Sequence, residues 1–103
     1  MFIDTACGVD GYQTDKTMTY FFGRSPPDEV SGIQRRCEDL ERVMAGLLRP
    51  ENTPSSVYAR AMERLSPDFL ENFMGFGNRR AGFLGHGVGL VVEEPPVIAP
   101  GFG

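Results

Sequence analysis

The sequence predicts an α+β fold in which a β-hairpin is followed by two to three helices and a glycine-rich strand. Three observations predict it. An Asp10-Gly11 pair separates two β-prone runs at the start of the chain. Apolar residues recur every three or four positions from Val30 to Leu47. Beyond Gly82 the helical period vanishes and glycines fall at alternate positions.

The elements follow in order. Phe2 to Cys7 forms a short strand, Gly8-Val9-Asp10-Gly11 the turn, and Tyr12 to Phe22 the return strand, with Thr14, Thr17, Thr19, Tyr20, Phe21 and Phe22 supplying β-propensity. Ser25-Pro26-Pro27-Asp28 reads as a helix start, with Ser25 as N-cap, Pro26 at the first helical position and Asp28 completing a capping box. Val30, Ile33, Cys37, Leu40, Met44 and Leu47 then make one apolar stripe, and Arg35, Arg36, Asp39 and Arg42 lie on the other side. That helix stops near Arg49-Pro50. Thr53-Pro54 opens a second helix to about Leu65 by the same cap-then-proline logic, with Val57, Ala61, Met62 and Leu65 inward. Ser66-Pro67-Asp68 opens a third, shorter turn ending near Met74. The order ββαααβ places the helices against one face of the sheet.

Composition narrows the function. The chain has 103 residues, enough for one domain, and 41% hydrophobic with 23% charged residues is ordinary for a folded core. A net charge of −4 excludes the bulk positive charge that phosphate-backbone binding needs, so nucleic acid is not an expected partner. No apolar run is long enough for a membrane span, and Met1-Phe2-Ile3-Asp4 has neither the basic lead nor the apolar core of a signal peptide. Cys7 and Cys37 are too few for a disulfide scaffold, which points to reduced thiols in the cytoplasm, with Cys37 packed in the helical stripe.

Asp4 and Asp15 fit this scheme least well. Each sits inside a strand, and a turn centred near Val9-Asp10 brings them opposite or diagonal to each other across the hairpin. Two carboxylates that close repel, and they share a proton, hold a cation, or simply face solvent at strand ends. His86 is the sole histidine, flanked by Gly85, Gly87 and Gly89, so the backbone can come close to a neighbour while the imidazole keeps a fixed direction.

The stretch Ile3-Asp4-Thr5-Ala6-Cys7-Gly8-Val9-Asp10-Gly11-Tyr12-Gln13-Thr14-Asp15-Lys16-Thr17 resembles the first metal-binding hairpin of the pita-bread metallopeptidases, the superfamily of methionine aminopeptidase, Xaa-Pro aminopeptidase, prolidase and creatinase. Gly85-His86-Gly87-Val88-Gly89-Leu90, followed by Glu94-Pro95, is similar to the same superfamily's histidine box, and Leu48-Arg49-Pro50 takes the place of its Lys-Pro-Gly segment. The nearest branch is that of the Xaa-Pro peptidases. The resemblance implies two divalent ions (Mn, Co, Fe or Zn) in the intact enzyme, with Asp4 on one ion, Asp15 bridging both and His86 on the other. It further implies a water between the ions that attacks an N-terminal peptide bond, a peptide as substrate, and a fold compatible with a homodimer.

The sequence departs from the pattern at several places. Glu93 stands where many members carry a second histidine that stabilises the tetrahedral intermediate; a carboxyl donates a hydrogen bond there only when protonated. Gly82 replaces a histidine found in some Xaa-Pro enzymes, Ala6 replaces a glycine, and Lys16-Thr17-Met18 lacks the usual arginine. The two glutamate ligands of the pattern lie on later strands than any present here. Residues 1–103 are therefore expected to be one partial domain, the central part of a catalytic domain cut on both sides. By itself such a chain is expected to be inactive and to hold at most one ion weakly, through Asp4, Asp15 and His86. A metal-free binding module on the same fold and a creatinase-like C–N hydrolase are the other readings these residues leave open.

Overall fold

The computed structural model describes all residues from Met1 to Gly103. Strands β1 (Phe2–Val9) and β2 (Tyr12–Thr19) form the first sheet; helices α1 (Asp28–Leu47), α2 (Pro54–Met62) and α3 (Pro67–Leu70) follow. Four short strands close the chain: β3 (Gly75–Phe76) with β4 (Arg79–Arg80), and β5 (Gly85–Gly87) with β6 (Glu94–Ile98), each pair antiparallel. The α+β class is as expected, but the chain makes three separate two-stranded sheets where one was foreseen.

The hairpin forms where the Asp-Gly pair predicted it. Val9 pairs with Tyr12, leaving Asp10 (φ 52°) and Gly11 (φ 84°) as a two-residue loop whose positive φ values match the strand twist. Strand β1 runs on to Val9, beyond the expected Cys7, and β2 stops at Thr19, short of the expected Phe22.

Helix α1 begins two residues later than the cap reading placed it. Pro27, at ψ 147°, is the N-cap residue, and no side chain caps the helix. Two consecutive prolines explain the shift: a residue preceding proline is pushed into extended backbone, so Pro26 cannot be helical and Ser25 lies outside the cap position. The carboxylates of Asp28 and Glu29 in the first turn are placed to complement the helix dipole instead. At the other end Asn52 Nδ2 donates to the Leu47 carbonyl (2.8 Å) and Arg49 Nε to that of Gly46 (3.1 Å), satisfying carbonyls that the helix leaves open. Helix α2 follows its predicted start, with Thr53 Oγ1 accepting from the Ser56 amide and Pro54 at the first position, but it ends at Met62, short of Leu65.

The core is small. Only Leu40, Val57, Ala61, Phe69 and Ala99 are buried, drawn from the three helices and the residue after β6. Helix α2 packs on both α1 and β6, and no helix packs on the hairpin. The expected helix-on-hairpin layer is thus replaced by a helix-on-β6 layer. The side of the hairpin carrying Asp4, Asp15 and Thr17 is polar and costly to desolvate, whereas α2 buries the apolar Val57 and Ala61 where it packs on α1 and β6. Cys37 is half-buried in the α1 stripe, and burial pushes its thiol pKa up. Arg36, assigned by periodicity to the solvated side, instead lays its guanidinium 4.4 Å over the Phe69 ring and donates from Nη2 to Ser66 Oγ (2.7 Å), tying α3 to α1.

Candidate metal centre

The first two candidate residues sit on one face of the hairpin. Asp4 is directly opposite Thr17, and Asp15 is directly opposite Ala6. Side chains opposite each other share a face and alternate positions return to it, so Asp4, Ala6, Asp15 and Thr17 all project to the same side, with the two aspartates diagonal. Thr17 donates its hydroxyl to Asp4 Oδ1 (2.9 Å), which fixes that carboxylate against β2.

His86 comes from the middle of β5. Its Nδ1 lies 2.9 Å from the Gly87 carbonyl oxygen. A carbonyl only accepts, so the contact assigns the proton of the neutral ring to Nδ1 and leaves the lone pair on Nε2. That lone-pair nitrogen is 3.5 Å from Asp15 Oδ2 and 3.8 Å from Glu93 Oε1. The side chains of His86 and Asp15 are 20% and 28% exposed, whereas that of Glu93 is 73% exposed, so the first pair is partly withdrawn from solvent and the glutamate stands at its rim.

Two local features bring His86 to this place. Between His86 and Gly87 the register of β6 slips: His86 faces Val97 while Gly87 faces Glu94, so Pro95 and Pro96 bulge out of the ladder. Proline has no N–H to give to a ladder, and a bulge is where a strand tolerates it. The bulge carries the β6 backbone across Gly87, where a Cβ would lie 2.8 Å from the Glu94 oxygen and 2.9 Å from that of Pro95; only glycine fits. Second, the Glu94 carboxylate accepts from the amides of Leu90 (3.1 Å) and Val91 (3.2 Å), closing the loop between β5 and β6. From that loop the Gly89 carbonyl accepts the Gln13 amide (2.6 Å), hooking the hairpin onto the histidine segment.

Asp15 and His86 are therefore brought together, and Asp4 is on the same hairpin face without joining them. No three histidine, cysteine, aspartate or glutamate side chains converge on one point. The donor pair nonetheless suits an ion: two ligands about 2.1 Å from a tetrahedral metal lie about 3.4 Å apart, against 3.5 Å for Oδ2 and Nε2. A carboxylate with a neutral imidazole is a donor set for borderline divalent metals. Beside the pair is a cleft of about 290 Å³ lined by Phe83, His86, Glu93, Glu94, Pro95 and Val97. A larger groove of about 650 Å³ between α1 and α3 includes neither Asp15 nor His86.

Several participants have no local sequence signal: Gln13 and Gly89 act through backbone groups, Thr17 acts through strand register, and Glu94 acts by closing the loop between β5 and β6. The approach of Glu93 to Nε2 follows from the same loop closure.

A hairpin with paired aspartates hooked onto a bulged Gly-His-Gly strand defines the class, and comparison with known proteins gives the same answer. The profile of metallopeptidase family M24 matches residues 1–103, and the chain belongs to that family. Its small α+β architecture is part of the pita-bread fold, and members of the family use divalent metal ions. The chain is 33% identical over 91 residues, 88% of its length, to proteins named "Probable dipeptidase PepE" from Mycobacterium bovis and from Mycobacterium tuberculosis. It spans 22% of the length of these relatives. No solved structure matches it. No helix is long and apolar enough to cross a membrane.

Proposed function

We propose that this chain contributes part of the catalytic domain of a metal-dependent peptidase that removes an N-terminal residue from Xaa-Pro or related peptides in the cytoplasm. The observation that carries this reading is the 3.5 Å approach of His86 Nε2 to Asp15 Oδ2, with Nδ1 engaged by the Gly87 carbonyl. Asp15 is then the ligand shared between two ions, His86 belongs to one of them, and Asp4 to the other. When bound, two divalent ions supply Lewis acidity toward the peptide carbonyl and lower the pKa of water to near neutrality.

The remaining work falls to this chain's own side chains. The Gly87 carbonyl holds the imidazole in the tautomer that presents Nε2 to the ion. Thr17 orients the Asp4 carboxylate, and the Gln13-to-Gly89 hydrogen bond keeps the two halves of the site in register. Phe83, Pro95 and Val97 give the adjacent cleft apolar walls suited to a non-polar side chain of a peptide. The match to relatives named as dipeptidases supports a short peptide substrate.

Residues 1–103 are on this reading one partial domain, and further carboxylate ligands come from elsewhere in the enzyme. The 103-residue chain binds at most one ion, weakly, and is inactive. Calorimetric titration with Mn²⁺ tests the site: the chain should take up close to one equivalent, and Asp15→Asn should abolish uptake. Identical isotherms for the two proteins refute the assignment. Metal-dependent hydrolysis of Ala-Pro or Gly-Pro by the purified 103-residue chain refutes its inactivity. In a full-length enzyme containing this segment, equal turnover of proline and non-proline dipeptides refutes the Xaa-Pro preference.

A further inference from the structure

We propose that Glu93 selects a basic side chain, lysine or arginine, on the peptide substrate, and that the cleft beside His86 holds the methylene stem of that side chain. The proposal rests on the peptidase reading and names the substrate class of the same site.

The cleft, about 290 Å³, is at the small end of ligand pockets, with room for one side chain and not for a whole peptide. Phe83, Pro95 and Val97 wall it, and such walls accept methylene groups whether or not a charge follows them. The ring centroid of Phe83 is 6.2 Å from that of His86, so a side chain lying on Phe83 stays next to the candidate metal centre. An aromatic wall is also a favourable neighbour for a cation.

Charge at the rim decides between a non-polar and a basic side chain. Two carboxylates line the cleft, and they differ. Glu94 is spent on the Leu90 and Val91 amides. Glu93 has as its one polar neighbour His86 Nε2, at 3.8 Å, and that nitrogen carries a lone pair and no proton to give. No lysine or arginine lines the cleft or pairs with Glu93. An ionised carboxylate without a cationic partner, 73% exposed at the mouth of an apolar cleft, attracts a cation and repels an acidic side chain. Charges placed this way select a ligand more than they tighten its binding.

The test is titration of the ¹⁵N-labelled, metal-free 103-residue chain with Lys-Pro and with norleucine-Pro, followed by ¹H–¹⁵N correlation spectra. The two dipeptides share their backbone, α-ammonium and methylene stem and differ in the side-chain ammonium. Both should shift the amides of Phe83, Glu93 and Val97. Lys-Pro should bind about fivefold more tightly at low salt, and added salt should shrink the advantage. Glu93→Gln should erase the difference by weakening Lys-Pro. Position 93 is exposed, so this variant keeps the fold, and its own spectrum checks that. Equal affinities in the wild type, a preference that survives in Glu93→Gln, or unmoved cleft amides with both peptides overturns the proposal. An equal loss of both peptides in Glu93→Gln assigns the carboxylate to the α-ammonium and overturns it as well. Each of these outcomes leaves the Asp15–His86 assignment in place, because that assignment is read from Mn²⁺ uptake.

Discussion

The backbone amide of Gln13 donates to the carbonyl of Gly89 at 2.6 Å, and through this bond the hairpin meets the histidine strand. The bond is available because of where Gln13 sits in the ladder. Val9 and Tyr12 close the turn as a hydrogen-bonded pair, so the next pair, Gly8 and Gln13, turns its N–H groups away from the partner strand. The outward amide of Gln13 then finds Gly89, and Asp15, two residues on, is carried to His86.

Replacing Gln13 by proline removes that amide without removing a rung of the hairpin ladder. Gln13→Pro should lower stability by about 1 kcal/mol and weaken Mn²⁺ binding. Nuclear Overhauser contacts between Asp15 and His86 should fade while those between β1 and β2 persist. Persistence of the Asp15 to His86 contacts would show that the hook is dispensable.

His86 should be present in solution as the Nδ1–H tautomer once the ring is neutral, since the Gly87 carbonyl can only accept. Long-range ¹H–¹⁵N correlation spectra of the metal-free chain should place Nε2 at the shift of an unprotonated ring nitrogen. A protonated Nε2 would contradict this.

Gly87→Ala puts a methyl group against two backbone oxygens of the β6 bulge, neither of which can rotate away. The β5–β6 ladder should open, with a stability loss of about 1–3 kcal/mol in urea titration and loss of Mn²⁺ binding in the same variant. Wild-type stability together with wild-type binding would mean that the close approach does not exist.

In the core, Leu40→Ala should cost about 2–3 kcal/mol, the lower part of the range for such truncations, because few neighbours surround the site and they can collapse inward. Arg36→Ala should also destabilise, through Phe69 and Ser66, although periodicity alone marks Arg36 as a surface residue. Urea unfolding of the two variants separates these effects, and an Arg36→Ala protein as stable as wild type would remove the Arg36 contacts from the account.

The two thiols should differ in reactivity. Burial raises the pKa of Cys37 and so lowers its thiolate fraction at a given pH, whereas Cys7 is exposed on β1. Iodoacetamide should modify Cys7 first near neutral pH, with Cys37 catching up only as the pH is raised into the alkaline range. Mass spectrometry of the labelled peptides reads this directly, and equal rates at neutral pH would contradict the burial of Cys37.

Local chemistry alone was enough for the hairpin turn, for the cap and first turn of α2, and for the placing of Asp4 and Asp15 on one hairpin face. Asp10-Gly11 accepts positive φ, Thr53-Pro54 caps a helix, and strand alternation puts both aspartates on one face. The start of α1 was also written locally, but in Pro26-Pro27 together, which a single-proline rule misreads. What no stretch of sequence contains is the meeting of distant backbone groups. The hook from Gln13 to Gly89, the bulge over Gly87, the hydrogen bond from Thr17 to Asp4 and the approach of Glu93 to Nε2 each depend on register and loop closure. Residue type decides which side chains can bind a cation. Which of them come near one another is set by distances that only the packed chain fixes.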